Sequence, residues 1–228
     1  MENPHPAAPD LQSDDRALAA WEVVSVVVSV LVAEWVVLAV AGGSLPAVSF
    51  AILTSIAFML LSHRARGETA RDVGWRLDNF GRAARLLAPP MILTTVLLVA
   101  AGLYTSKLDF TRWRGEESLG RVLLLGALWG FLQQYALQGF INRRAQIVWG
   151  RGPVSVVAVA LTFALLHLPN PWLMLATFAG GLVWARAYQK EPNLLALGLS
   201  HGLMTWVLIS AFPSAALHNL RVGYKFFG

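Results

Sequence analysis

Residues 21–40 read WEVVSVVVSVLVAEWVVLAV, and Glu22 and Glu34 are the only charges in the stretch. At 1.5 Å per residue, a helix of this length covers about 30 Å, the thickness of a bilayer's hydrocarbon core. Its many valines would favour a strand in water. In lipid a lone segment can satisfy every backbone N–H and C=O only as a helix, so propensity is overruled.

The rest of the chain has the composition to match. Of its 228 residues 56% are hydrophobic and 14% charged, with a mean hydropathy of +0.56. A soluble domain carries about 25% charged residues, so this chain lacks the charge to cover a water-facing surface, and disorder is excluded on the same grounds. The absence of cysteine excludes a disulfide framework, thiol catalysis and cysteine-based zinc or iron–sulfur sites. The net charge of +5 comes without a basic run interleaved with aromatics, so no nucleic-acid partner is expected. The expected partner is the lipid bilayer.

Residues 1–16 form a polar tail without the basic start and short apolar core of a signal peptide. The first span covers 17–41, and further apolar stretches follow at 44–62, 86–104, 119–140, 153–167, 172–188 and 194–212. The expected fold class is therefore all-α, a polytopic membrane helical bundle of about seven transmembrane helices. Residues 17–118 make an amino-terminal set of spans that includes a basic segment at 64–85, where Val73, Trp75, Leu77 and Phe80 suggest a partly amphipathic piece at the interface. Residues 119–212 form a core, NRRAQIVWGRG after Phe140 reads as a basic turn, and 213–228 read as a carboxy-terminal tail. With the amino terminus in the cytoplasm, twelve of the 18 cations fall inside, so a multi-pass cell-membrane protein with that orientation is expected.

Strongly polar side chains at membrane depth are costly and mark candidate sites. Here they are Glu34, Gln133, Gln134, Gln138, His167, His201 and Thr205. Gln134 and Gln138 lie four apart, as do Phe163 and His167, and His201 and Thr205, so each pair shares a helix face. Three helices thus aim polar groups at one interior point. The plainer alternative is that glutamines and threonines bond neighbouring helices, worth roughly 0.6–2 kcal/mol each. Likewise His167 reads as an interface residue, Gly202 beside His201 as a packing contact, and Glu34 as either protonated and inert or paired with a histidine. Trp21, Trp113, Trp149 and Trp172 lie near span ends, where an aromatic belt places them.

The stretches LQQYALQGFINRR, LTFALLHLPNP and LGLSHGLMT, in that order, resemble the three motifs of the CPBP group, the CAAX-protease and bacteriocin-processing (Abi) intramembrane proteases. The family pattern is Glu-Glu-x-x-x-Arg-Gly, then Phe-x-x-x-His, then His-x-x-x-Asn or Asp, and the resemblance covers about residues 120–210. Gln133 and Gln134 stand where the pattern has its Glu pair, and Gln138 where it has Arg. Phe163, His167 and His201 are kept, and Thr205 occupies the Asn or Asp position.

The resemblance implies a hydrolase in which a carboxylate and a histidine activate water, while the second histidine and the Asn stabilise the oxyanion. A neutral amide does not titrate near neutrality, so Gln133 and Gln134 can orient water or donate N–H groups but cannot act as base. His167 is the candidate base, and Thr205 supplies a hydroxyl. The catalytic candidates are accordingly Gln133, Gln134, His167, His201 and Thr205, with Gln138 and Phe163 supporting. No cofactor is expected: zinc needs three good ligands, which here would require His63, His218 or Glu34 beside the two histidines. The implied partner is a membrane-associated peptide or protein substrate. Two functions follow. One is an intramembrane endopeptidase acting on membrane-anchored or lipidated peptides; the other is a catalytically silent relative that binds or retains membrane proteins or peptides. A small transporter is a poorer fit, because no internal repeat is present.

Overall fold

A computed structural model describes residues 11–42, 44–111 and 119–228. Helix α1 (Leu11–Val32) passes through a π-helical stretch (Ala33–Val37) into α2 (Leu38–Val40). Then come α3 (Leu45–Ala65), the short α4 (Ala70–Val73) and α5 (Phe80–Tyr104). The central rod is α6 (Leu119–Gln134), a second π-helical stretch (Tyr135–Asn142) and α7 (Arg143–Trp149). Helices α8 (Pro153–Leu165), α9 (Pro171–Lys190) and α10 (Leu194–Ala211) complete the bundle, followed by two 3-10 turns at His218–Leu220 and Gly223–Phe227. The fold is a helical membrane bundle, with no strand among the described residues.

Among the described residues, three helices are long and apolar enough to span a bilayer: Ser13–Val40 at mean hydropathy 2.6, Phe80–Tyr104 at 2.1 and Leu194–Ala211 at 1.7. Ser49–Ala65 and Pro153–Leu165 are shorter apolar helices. Only 6% of the first apolar window is buried inside the protein, against 56% for α10. Helix α10 is thus the centre, packed against α5 and α6, while α1 packs along one side on α7 and α3 and leaves most of its apolar surface facing outward.

Small residues set the closest approaches. A Cβ on Gly130 of α6 would lie 3.0 Å from the Gly198 carbonyl oxygen and 3.2 Å from the Gly202 nitrogen of α10, and one on Gly198 would collide with the Phe131 ring. Gly181 of α9 faces Ala160 of α8 in the same way. Helix starts are fixed by side chains: the Asn170 Oδ1 accepts from Leu173 N–H at 3.2 Å, and the Asn193 Oδ1 from Ala196 N–H at 2.8 Å.

Four segments differ from the sequence reading. In residues 64–85 the apolar side chains do not share one face, since Gly74 at φ 105° ends α4, Val73 is buried and Leu77 is 76% exposed. The Gly74 carbonyl accepts from Leu194 N–H at 2.9 Å, which pins this loop to the start of α10. The basic stretch after Phe140 is not a turn but the end of a continuous helix, closed only at Gly150, φ 77°. Arg143 and Arg144 find carboxylates, and Arg151 donates to the Gln189 carbonyl. The last residues pack back on the bundle: Gly223 N–H donates to the Leu168 carbonyl at 2.7 Å, and Trp35 meets Phe227 at 6.1 Å between ring centres. At the other end, helix begins at Leu11 rather than after residue 16.

Candidate active site

The π-helical stretch begins one residue after Gln134 and carries Gln138. Wide turns of this kind are uncommon and concentrate at functional positions. Gln134 is fully buried, and its amide nitrogen donates to His201 Nδ1 at 3.1 Å. That bond makes Nδ1 of His201 the lone-pair nitrogen and leaves Nε2 to carry the proton. The His201 ring stacks on Trp184 at 4.6 Å and 16°, and Trp184 is fixed in turn by donation from Nε1 to Ser200 Oγ at 2.9 Å.

His167 has the opposite arrangement. It lies in the turn just past α8, where its Nδ1–H donates to the Phe163 carbonyl four residues back at 2.8 Å. A carbonyl only accepts, so Nδ1 holds the proton and Nε2 bears the lone pair. Phe163 bridges the two histidines, with its ring edge-on to His167 at 4.9 Å and to His201 at 5.9 Å. One imidazole therefore offers a base and the other an N–H donor, set around a single aromatic ring.

Of the residues singled out in the sequence, Gln134, His201, Phe163 and His167 come together. Gln138 is fully buried too, but its Oε1 accepts from Asn142 Nδ2 at 2.7 Å, part of a separate polar chain. Asn142 also donates to the Ala185 carbonyl at 3.2 Å and accepts from Gln189 at 3.2 Å and Gln146 at 3.1 Å. Gln133 and Thr205 are half-buried and have no hydrogen bond to either histidine among the described residues. The Gln134 Oε1 and Gln138 Nε2 are buried without a protein partner, two polar positions able to receive water or a substrate amide. No three His, Asp or Glu side chains gather as a metal-ligand set among the described residues.

Sequence reading missed Trp184, Asn142 and Arg144. Trp184 carried a signal, since it lies mid-span, away from the aromatic belt. Asn142 follows Gln138 at helical spacing, but within a stretch read as a turn. Arg144 is fully buried in a cluster at the end of the same rod. Its Nε lies 2.8 Å from Glu22 Oε2 and its Nη1 2.9 Å from Glu68 Oε2. Its Nη2 donates to Ser62 Oγ at 2.9 Å. Glu22 also pairs with Arg66 at 3.0 Å, and Glu68 with Arg143 at 2.5 Å and His63 at 2.6 Å. Burial pulls the Glu68 carboxyl upward, but hydrogen bonds from His63 and Arg143 and the charges of Arg144 and Arg143 outweigh it and hold the pKa at about 2.

A helical membrane bundle with two histidines, a buried amide and a shared aromatic ring at its centre defines a class of intramembrane site. The model of the family described as type II CAAX prenyl endopeptidase, Rce1-like, matches residues 87–207, more than half of the chain. The chain belongs to that family, and through it to the CAAX-protease type of membrane peptidase. Comparison with curated proteins and with solved structures gave no match.

Proposed function

We propose that the chain is an intramembrane endopeptidase that cleaves membrane-anchored or lipidated peptides by activating water at its buried Gln/His site. The observation that carries this reading is the complementary pair of imidazoles around Phe163, one presenting a lone pair and one an N–H. Water attacks the peptide carbonyl as His167 Nε2 takes its proton and later passes that proton to the leaving amine. His201 Nε2–H donates to the oxyanion, helped by the Thr205 hydroxyl, while Gln133 and Gln134 orient the water. This chemistry is assigned to side chains without a cofactor. The amino terminus is assigned to the cytoplasm.

The test is cleavage of a prenylated carboxy-terminal peptide by the purified chain in nanodiscs. His167→Ala should lower kcat about 100-fold or more, the usual contribution of a general base, and His201→Ala should lower it comparably. Chelation of divalent metal should leave the rate unchanged. Full activity in both histidine variants would overturn the mechanism.

The three glutamines favour a second reading, a silent relative that retains membrane peptides, because they stand where the family pattern places its charged groups. In that case the parent is idle, and Gln133→Glu with Gln134→Glu creates turnover. A parent that already cleaves the peptide rejects the second reading.

A further inference from the structure

Glu22, Ser62 and Glu68 all precede the family-matched region at 87–207, yet they converge on Arg144 inside it, with Arg66 pairing to Glu22 beside them. These partners come from α1, from α3 and from the loop before α4. The guanidinium has no exposure and lies 4.8 Å above the Phe140 ring. Ten residues upstream on the same rod, Gln134 is held by His201. Everything between them except the junction residue Arg143 is π-helical.

A π-helical stretch accommodates extra residue length within a helix. Restoring ordinary α register changes the relative rotation of its two ends by roughly 100° per residue, from 3.6 residues per turn. If Arg144 kept its place, such a change would swing Gln134 away from His201. If Gln134 kept its place, Arg144 would leave its two carboxylates. Both ends are satisfied together only in the π register. Breaking a buried ion pair strands a charge, so the Arg144 end is the costlier one to release.

We propose that Arg144 is a positioning residue: clamped by Glu22 and Glu68, it sets the register of the π-helical stretch and thereby holds Gln134 against His201. The amino-terminal helices are by this route part of the site's geometry, although they supply none of its reacting groups. The proposal concerns the site described above but needs no turnover to be read, so its failure and the failure of the peptidase reading are separate results.

The experiment uses the full chain in nanodiscs with ¹⁵N-labelled histidine, reading side-chain nitrogen resonances. Gln134→Ala provides the reference signature of a His201 released from its amide. Arg144→Lys keeps the charge but loses the guanidinium fork. It should reproduce that released His201 signature while leaving the His167 Nδ1–H signature unchanged. Glu22→Gln should give the same direction with a smaller shift, and it stands as the deciding variant should Arg144→Lys fail to fold. A wild-type His201 signature in folded Arg144→Lys, or in Glu22→Gln when that variant decides, overturns the proposal. So does a His167 resonance that moves as far as that of His201, because that pattern reports general loosening.

Discussion

Gln134 lies at a position where the family pattern has a carboxylate, and it is completely buried against His201. An amide and a carboxyl have nearly the same shape but differ in what they do with a proton. Gln134→Glu would put a titratable group against the imidazole and add a second base to the site. In an active parent, Gln133→Glu with Gln134→Glu should raise kcat by about 10-fold or more, a fraction of the 10²–10⁴ typical of acid–base assistance, measured on the same peptide. Phe163 bears on both histidines. Phe163→Ala should cost about 3–5 kcal/mol of stability, as usual for a buried aromatic, and should reduce turnover further by freeing both rings, read by thermal unfolding beside the peptide assay. The histidines and the glutamine were legible in the sequence because polar atoms at membrane depth stand out against an apolar background. Asn142 was not, since it sits in a stretch basic enough to pass for a turn, and Trp184 was passed over although its mid-span position sets it apart from the belt.

Helices α6 and α10 meet closely, and glycines allow it. Gly198→Ala should cost about 1–3 kcal/mol by overpacking, because its Cβ would collide with Phe131. Gly126→Ala, on the same α6 but with nothing within 4 Å of its Cβ, should be neutral or slightly stabilising through better helix propensity. Paired melting curves in detergent check both, and equal losses would mean that the glycines are not where the helices touch. The spans themselves could be read from the sequence, since the length needed to cross lipid is a simple physical threshold. The π-helical stretch could not. Its wider turn follows from what its two ends must reach, and no residue type encodes it.

Over the whole molecule, charge is scarce but concentrated, and the buried cluster of Glu22, Glu68, Arg143 and Arg144 joins segments far apart in sequence. Such pairings leave no local pattern, so a reader of the sequence sees a basic loop and two isolated acids. Glu68 makes the cluster testable by pH. Its folded pKa of about 2 lies below the ordinary 4.5, so it adds stability that is fully present above pH 4.5 and is lost progressively as pH falls toward 2. The difference in melting temperature between the parent and Glu68→Gln should therefore be largest near neutrality and shrink between pH 4.5 and 3. A constant difference would place the effect in packing rather than charge.

The same cluster sets a timetable for biogenesis. Glu22 emerges from the ribosome 122 residues before Arg144, counted from their positions. At roughly 5–20 residues per second that is about 6–24 s of synthesis. During that interval the first helix carries a carboxylate whose partner Arg144 has not been made. Until then the groups that can answer it are Ser62 and Arg66, so its pairing is completed only once the central rod has been synthesised.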